Sequence, residues 1–308
     1  MAPKCPPPLK DGDRVAIVSP AGKINQTLLD LAVVRLRDSG FVPVLGPNAA
    51  NRSAIFAGTD SERAADLQWA LNDAEIKAIF FSRGGYGCLR TSMLVDWSNF
   101  VDQPKWLIGF SDITVFHALT VANNIVSIHG GMSAFMGDDD GPTESYLRTI
   151  GLLKGELPLF TVKSHPLNRV GVTSGQLFGG NLSIIQSLRG TPLDIDPEGK
   201  ILFIEDIGEY HYHIDRMMMN LKAGKVLERI SGLVVGHFTD MRDGETPYGM
   251  NSYEIIREAV ENYHYPLLFG FPAGHELPNM PLIMGGECKL AVDKEYAELQ
   301  FSWLYGKS

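Results

Sequence analysis

The first half of this 308-residue chain alternates short apolar segments with amphipathic ones, and that alternation limits the possible folds more than any other feature. Between the apolar segments, TLLDLAVVRLRDSG and SERAADLQWALND have the spacing of helices with one apolar face. This order predicts a parallel sheet covered by helices on both faces. The segments predicted as strands are RVAIVS (14–19), FVPVLG (41–46), KAIFFS (77–82), KWLIGF (105–110) and NIVSIHG (124–130).

Two residues refine this prediction. Pro43 has no backbone N–H to donate to a neighbouring strand, so we expect its strand to lie at an edge of the sheet. Asp60 stands at the start of the second helical segment and is predicted to be its N-cap.

The helical and strand periodicity weakens at GELPLFTVKSHPLN, which contains two prolines, and this segment is predicted to be a linker. A chain of this length is also too long for one small core. Later strands such as ILFIED and GLVVGHF alternate with helical segments. The prediction is an N-terminal α/β domain over residues 1–153, a linker over 154–167, and a barrel-like α/β domain over 168–308.

Composition excludes several partners. The formal net charge is −9 and no basic stripe occurs, so neither a nucleic acid nor an anionic membrane is an expected partner. Cys5, Cys88 and Cys288 are far apart without a C-x-x-C, which argues against zinc and disulfides and suits a reducing cytoplasm. No apolar run approaches the roughly 18 residues that span a membrane, and MAPKCPPPLKDGD lacks the apolar centre of a signal peptide. We therefore expect a cytoplasmic protein.

A serine follows the strand of KWLIGFSDIT and precedes a helical segment. At such a turn the Ser111 hydroxyl points away from the sheet, and the N–H groups at the helix start suit a developing oxyanion. Serine is also among the commonest N-caps. The pattern G-x-S-x-G is only half met, because Ile113 replaces the second glycine. Ser111 is thus either a nucleophile or a helix cap.

A glycine-rich loop, SRGGYG, follows the strand that ends near residue 82. Gly84, Gly85 and Gly87 allow the backbone to approach another group closely and to direct amides into a cavity, for a phosphate or an oxyanion. Neither G-x-G-x-x-G nor the P-loop pattern is present, so nucleotide binding has little support. The alternative is a plain strand-to-helix turn.

Two acidic residues and a histidine complete the set of candidates. Glu205 and Asp206 end the strand of ILFIED, where open α/β sheets bind ligands, and a carboxylate there can orient a histidine. One of the two could instead cap a helix or pair with Arg216. His275 lies in the glycine- and proline-rich loop GFPAGHELPN, and seven other histidines compete with it. His211 and His213 alternate like metal ligands without a third partner, so no metal or cofactor is expected.

Taken together, these motifs resemble the serine L,D-carboxypeptidase family, which contains the muramoyl-tetrapeptide carboxypeptidases and the microcin-C immunity peptidases. The resemblance covers nearly the whole chain through VSPAG, SRGGYG, IGFSDIT, IHGGM, FGGNLS, IEDIGE and AGHELPN. It implies a flavodoxin-like N-terminal domain, a site between two domains, and a homodimer. The residues implied are Ser111 as nucleophile, Glu205 and His275 as its triad partners, and the Gly85 and Asp112 amides as oxyanion hole.

The implied activity is cleavage of the L,D-peptide bond that releases terminal D-alanine from murein tetrapeptides. Arg83 and Gly84 are then candidate substrate-binding residues, because a guanidinium matches a terminal carboxylate, although Arg83 could instead brace its loop against Glu205 or Asp206. One alternative is a microcin-immunity-type peptidase that cleaves aminoacyl-sulfamoyl nucleotides and stacks the base on Trp97 or Tyr210. Another is a non-catalytic α/β binding protein.

The chain departs from the family pattern at two positions. Gly131 stands where the family often has proline after histidine and glycine, and Glu276 stands where glycine often follows the family's histidine. These departures bear on which substrate is bound more than on the chemistry.

Overall fold

The computed structural model describes residues 2–138 and 140–302. Its strands are β1 Arg14–Val18, β2 Val42–Leu45, β3 Ile76–Phe81, β4 Trp106–Gly109, β5 Ser127–His129, β6 Gly137–Asp138, β7 Gly141–Pro142, β8 Leu159–Lys163, β9 Gly171–Asn181, β10 Ile201–Ile207, β11 Gly232–Thr239, β12 Leu267–Phe269, β13 Leu282–Met284, β14 Glu287–Val292 and β15 Tyr296–Phe301. Its α-helices are α1 Gln26–Asp38, α2 Asp60–Asn72, α3 Cys88–Ser92, α4 Ser98–Asp102, α5 Thr114–Ala122, α6 Glu144–Leu153, α7 Leu182–Ser187, α8 His211–Ala223, α9 Val226–Arg229 and α10 Ser252–Ala259.

The first sheet has the order β2–β1–β3–β4–β5–β13. Its first five strands are parallel, as the strand–helix alternation predicts, and β13 joins antiparallel to β5. Strand β2, which contains Pro43, lies at the edge, and this prediction is confirmed.

Alternate residues of these strands pack on opposite faces of the sheet. Val15 and Ile17 belong to the core cluster that contains Leu29 of α1. Ala16 belongs to the other cluster, which contains Leu67 of α2. The prediction of helices on both faces is therefore confirmed.

The cap of α2 differs from the prediction. Thr59 is the N-cap: its hydroxyl accepts a hydrogen bond from the Glu62 N–H, and the Glu62 carboxylate accepts one from the Thr59 N–H. Asp60 is the first helical residue and instead pairs with Arg63 and Arg90. The prediction that Asp60 is the cap is wrong, because the reciprocal Thr59–Glu62 pair satisfies two backbone donors where Asp60 would satisfy one.

The second sheet has the order β12–β11–β10–β9–β14–β15–β8. Strands β9 to β12 are parallel, whereas β14, β15 and β8 continue the sheet antiparallel. The two-domain α/β architecture is confirmed. Within the described residues, β12 and β8 do not pair with each other, so this sheet is open and not closed into a barrel.

Two strands join sheets that their positions in the sequence do not indicate. Strand β8 lies inside the segment predicted as a linker, yet it pairs with β15 of the second sheet. Strand β13 follows β12 of the second sheet but pairs with β5 of the first. The loop over residues 270–281 therefore leads from one sheet to the other. The domain division at residues 154–167 stays a prediction.

Of the helices in the described part of the chain, none has the length and apolar character that a bilayer-spanning helix requires.

Candidate active site

An open cleft with a volume of about 500 Å³ brings together most of the predicted site residues. The predicted residues that line it are Arg83, Gly84, Gly85, Ser111 and His275. The rest of the wall, which no sequence motif indicates, is largely apolar and includes Ile24, Leu28, Phe110, Met132, Phe135 and Ile207. The cleft lies where β3, β4 and β10 end and where the loop after β12 crosses between the sheets.

Ser111 has a left-handed backbone conformation, with φ of 63°. It follows β4 after one residue, Phe110, and opens a single 3₁₀ turn, Ser111–Ile113, before α5. The cap positions of the turn and of α5 are Phe110 and Ile113, and neither cap uses a side-chain hydrogen bond. The alternative that Ser111 is a helix cap is therefore wrong. A non-glycine residue in this conformation costs free energy, and such strain is concentrated at functional sites.

The glycine loop packs directly on this serine. A Cβ atom added at Gly84 would lie 2.8 Å from the Ser111 Cβ, 3.0 Å from its Oγ and 3.2 Å from the Asp112 nitrogen. Gly85 has φ of +100°, a conformation that favours glycine. Within the described residues, the N–H groups of Gly85 and Asp112 have no hydrogen-bond acceptor. In the described structure, one backbone donor of the glycine loop and one of the serine turn are thus left without a partner.

The Asp112 side chain has a function that the sequence did not reveal. Its Oδ2 accepts a hydrogen bond from the Cys88 N–H at the start of α3, over 2.8 Å. Burial raises the pKa of Asp112, although hydrogen bonds from this loop oppose the shift. Asp112 therefore ties the serine turn to the glycine loop. No local pattern could predict this contact, because its partners are 24 residues apart.

Glu205 and His275 form a buried pair. His275 Nδ1 lies 2.7 Å from Glu205 Oε2, and the carboxylate is fully buried at the end of β10. Burial disfavours the charged form of His275 and by itself would lower its pKa. The hydrogen bond to Glu205 and the charges of Glu205 and Asp206 outweigh burial, so the pKa of His275 is raised. The ring also packs edge-on against Phe110, with centroids 5.0 Å apart. Among the described residues, no hydrogen bond joins Ser111 Oγ to this ring.

Asp206 points to a different partner from that of Glu205. Its oxygens accept hydrogen bonds from Asn181 Nδ2 and the Ser183 N–H, each over 2.9 Å. Burial and the neighbouring Glu205 raise the pKa of Asp206 to about 7. Within the described residues neither carboxylate pairs with Arg216, so that part of the alternative is wrong, whereas the part in which one of them caps a helix fits Asp206. Asp206 instead caps the first turn of α7.

Asn181 links the two halves of the site. Its backbone N–H donates to Thr114 Oγ1 over 3.0 Å, at the start of the helix that follows Ser111. Its side chain donates to Asp206, next to Glu205. The motif FGGNLS therefore holds the serine turn and the acidic strand in register.

The Arg83 side chain is exposed and donates to the Lys23 carbonyl oxygen over 2.8 Å. In the part of the chain that the structure describes it forms no ion pair, so the alternative that it braces the loop against Glu205 or Asp206 is wrong. Its charge remains available at the edge of the cleft.

The chain matches known proteins over both halves. Family models of the LD-carboxypeptidase N-terminal domain and C-terminal domain match residues 15–130 and 174–290. A Bacillus subtilis protein named probable murein peptide carboxypeptidase is 33% identical over 299 residues, which cover 96% of this chain and 94% of the relative. The chain belongs to the LD-carboxypeptidase family. The protein is therefore a hydrolase of the carboxypeptidase class, and the resemblance stated from the motifs is confirmed.

Other members of the LD-carboxypeptidase family have different names. A Pseudomonas aeruginosa murein tetrapeptide carboxypeptidase is 30% identical over 86% of this chain and 89% of its own length. The Escherichia coli microcin C7 self-immunity protein MccF is 24% identical over 97% of this chain and 95% of its own length. The crystal structure of an Oxalobacter formigenes muramoyltetrapeptide carboxypeptidase superimposes with a TM-score of 0.86 at 26% identity, covering 94% of this chain and 98% of that one.

Two aromatic candidates for base stacking lie away from the cleft. The Trp97 ring packs on Phe116, with centroids 5.5 Å apart, and Tyr210 packs on Tyr212 at 5.5 Å. Neither Trp97 nor Tyr210 lines the cleft. The expectation that one of them lines a nucleotide site is therefore not met by this arrangement.

The remaining histidines do not assemble a metal centre. His213 pairs with Glu209 over 2.8 Å, and His211 lies 3.3 Å from Ser252. His129 is fully buried, and it does not line the cleft. Among the described residues, no three side chains of the histidine, cysteine and acidic types come close enough to bind one metal ion.

Proposed function

We propose that this peptidase hydrolyses the L,D-peptide bond that releases terminal D-alanine from murein tetrapeptides. The observation that carries the proposal is the shared cleft of Ser111, in its left-handed conformation, and His275, whose ring is held by the buried Glu205. The names of the Bacillus and Pseudomonas relatives support a murein peptide as substrate.

Proton transfer follows from the Glu205–His275 pair. Glu205 accepts the hydrogen bond of Nδ1, which leaves Nε2 as the nitrogen that can take a proton. Ser111 Oγ attacks the carbonyl carbon of the L-residue as His275 Nε2 takes its proton. His275 then protonates the departing amine of D-alanine, and water attacks the acyl-enzyme by the same route. Glu205 stabilises the imidazolium at each step.

The tetrahedral oxyanion is bound by backbone donors in this proposal. The N–H groups of Gly85 and Asp112 stand on the two segments that meet at Ser111. Loss of one such donor costs on the order of 10²–10³ in rate in other hydrolases. The absence of a side chain at Gly84 keeps space for the substrate carbonyl beside Ser111.

Arg83 is proposed to bind the terminal carboxylate, which distinguishes a carboxypeptidase from an internal peptidase. Its exposed guanidinium lines the cleft without an ion-pair partner among the described residues. A guanidinium can hold a carboxylate through two parallel hydrogen bonds. Gly84, adjacent to Arg83, allows the peptide to approach the backbone.

We also propose that the protein acts as a cytoplasmic homodimer. Among the described residues, Cys88 and Cys288 are buried free thiols, which suits a reducing compartment. The homodimer is proposed on the family resemblance, and light scattering after size exclusion would measure the mass of the assembly.

The second candidate is hydrolysis of an aminoacyl-sulfamoyl nucleotide, by analogy with the relative named a microcin C7 self-immunity protein. It is less favoured, since neither Trp97 nor Tyr210 lines the cleft to stack a base. A non-catalytic binding function is not retained, because the chain belongs to a peptidase family.

Product mass spectrometry tests the proposal. The enzyme is incubated with a disaccharide-free tetrapeptide ending in D-alanine, with the L-alanine diastereomer, and with an aminoacyl-sulfamoyl adenosine. We expect loss of one alanine from the first peptide and an unchanged diastereomer. Cleavage of the nucleotide alone would overturn the proposal in favour of the second candidate.

A further inference from the structure

His275 stands on the loop over residues 270–281, which we call the histidine loop, and the two halves of this loop are held by different parts of the molecule. In the first half, the Ala273 carbonyl oxygen accepts a hydrogen bond from the His237 N–H over 2.8 Å. His237 belongs to β11, so this half is held by the second sheet.

The other half of the histidine loop is held by Asn279, a fully buried residue that the proposed chemistry does not use. Its backbone N–H donates to Ser145 Oγ on α6 over 2.8 Å. The hydroxyl of Tyr146, the next residue of α6, lies 2.8 Å from Ser39 Oγ, and Ser39 is the C-cap of α1. Asn279 therefore ties the loop to the helices that cover the first sheet, which carries Ser111.

The Asn279 side chain reaches back across the histidine loop. Its Oδ1 accepts a hydrogen bond from the Gly274 N–H over 3.0 Å. The partner is a backbone donor, so the amide oxygen and not the nitrogen must face it. The Asn279 Nδ2 is buried and has no hydrogen-bond partner among the described residues. The side chain thus acts through one acceptor atom, on the residue directly before His275.

Gly274 lies against the carboxylate that holds His275. It has φ of +136°, and a Cβ atom added there would lie 3.2 Å from Glu205 Oε2 and 3.0 Å from the His237 Cβ. The same Glu205 Oε2 lies 2.7 Å from His275 Nδ1. A displacement of the Gly274 backbone would therefore separate the imidazole from its carboxylate, and Asn279 opposes that displacement.

We propose that Asn279 is a positioning residue: it holds the histidine loop against α6 so that His275 meets its two partners. Those partners are the Glu205 carboxylate and the Ser111 hydroxyl. Asn279 is fully buried and acts on the reaction through His275 alone. This inference rests on the proposed function, since it takes His275 to be the proton acceptor of Ser111.

The first test is the rate of tetrapeptide hydrolysis at a pH where His275 is neutral. Asn279→Leu keeps a branched side chain but removes the acceptor, which leaves the buried Gly274 N–H without a partner. We expect kcat to fall by about 10², the cost of a misplacement of about 1 Å, with KM nearly unchanged because Arg83 and the glycine loop stay in place. Asn279→Asp offers an acceptor oxygen in either protonation state and should restore kcat close to the wild-type value.

The second test needs no substrate. The pKa of His275 is measured in the free enzyme from its ring-proton NMR signals, which are assigned by their absence in His275→Ala. In the wild type burial lowers this pKa, but the hydrogen bond to Glu205 outweighs burial and holds the pKa above 6.5. In Asn279→Leu that hydrogen bond loosens, and the pKa should fall towards 6.5. Ser145→Ala removes the acceptor on α6 and should lower the pKa by less.

Thr149→Val is the matched control for a loss of stability alone. Thr149 Oγ1 donates to the Ser145 carbonyl oxygen within α6 over 2.8 Å. The variant therefore loses a buried hydrogen bond of α6, as Ser145→Ala does, but keeps the link from Ser145 Oγ to Asn279. Its unfolding temperature should fall while the pKa of His275 stays at the wild-type value.

The outcomes separate this inference from the proposed function. An unchanged His275 pKa in Asn279→Leu, or an equal fall in Thr149→Val, would overturn the positioning role whichever peptide is cleaved. If Asn279→Leu does not fold, the comparison of Ser145→Ala with Thr149→Val decides in the same way. A fall confined to the Asn279→Leu and Ser145→Ala variants would support the role even if the wild-type enzyme releases no D-alanine, which would contradict the proposed function alone.

Discussion

The two sides of the cleft are built in different ways. On the side of the first sheet, the position of Ser111 is fixed by backbone conformation: a left-handed serine packs on Gly84, and Gly85 also has positive φ. On the side of the second sheet, His275 is fixed by hydrogen bonding and charge, through the buried Glu205. One side positions a neutral hydroxyl, and the other holds an imidazole whose pKa is raised by its carboxylate partner.

This difference determines which substitutions each side tolerates. The serine side, which is the wall of the cleft that the first sheet forms around Ser111, should be sensitive to added volume. A Cβ atom added at Gly84 would lie only 2.8 Å from the Ser111 Cβ. The histidine side should be sensitive to the loss of a charge and tolerant of small changes in volume. Asn181 contacts both sides, through Thr114 and Asp206, and therefore couples them.

Removing the hydroxyl should have the largest effect and tests whether the serine side supplies the nucleophile. Ser111→Ala is expected to lower kcat for tetrapeptide hydrolysis by about 10⁴–10⁶, because the acyl-enzyme cannot form. Thermal unfolding should be nearly unchanged, since alanine replaces a half-buried serine without adding volume. Full activity in this variant would remove Ser111 from the mechanism.

Removing the charge behind His275 should have the next largest effect. Glu205→Gln is expected to lower kcat by about 10³–10⁴, because the imidazolium loses its stabilising carboxylate. The base must be neutral, so kcat/KM falls as the pH drops through the pKa of His275. That pKa is raised above 6.5 in the wild type, and the acidic limb of the profile should therefore lie above pH 6.5 and move to lower pH in the variant.

Asp206→Asn provides the matched control for that profile. It removes a carboxylate near His275 that is only partly ionised at pH 7, because the pKa of Asp206 is about 7, and it leaves the Glu205 hydrogen bond intact. The acidic limb of the kcat/KM profile should move to lower pH in Asp206→Asn, but by less than in Glu205→Gln. An equal shift in both variants would mean that the general field, and not the hydrogen-bonded pair, sets the pKa of His275.

Added volume on the serine side should have an intermediate effect. In Gly84→Ala the new Cβ would lie 2.8 Å from the Ser111 Cβ, so one of the two segments must move. A misplacement of about 1 Å can cost roughly 10² in rate, and we expect a kcat loss of that order with the pH profile unchanged. Gly244→Ala is the control, because its nearest neighbour would be 3.9 Å away.

The contrast between the two sides also explains what could be predicted from the sequence. Strands β1 to β5 were predictable because each is a continuous apolar segment between helical ones. Strands β8 and β13 were not, since Leu159–Lys163 and Leu282–Met284 each follow a proline and pair with strands distant in sequence. The spacing of apolar residues along the chain carries no information about which distant strand a segment pairs with.

The features of the candidate site likewise divide into those that the sequence predicts and those that it does not. Strand and loop ends placed Ser111, Glu205 and His275 among several candidates, and only the family resemblance chose His275 from eight histidines. One of the two alternatives for Arg83 gave it an acidic partner, because charge alone suggests an ion pair where the structure has a carbonyl oxygen. The Asp112–Cys88 contact was missed, because a buried carboxylate can accept from any backbone donor that the fold brings near it.

The smallest expected effect concerns Arg83, the basic predicted residue on the serine side. Arg83→Met should raise KM for the tetrapeptide by about 10-fold with kcat nearly unchanged, because it removes binding that is the same in the ground and transition states. Replacing the terminal carboxylate of the peptide by an amide should cost the wild-type enzyme a similar factor. Combining both changes should cost no more than either alone, since each breaks the same contact. Additive losses in this cycle would show that Arg83 and the carboxylate do not meet, and the serine side would then act through backbone geometry alone.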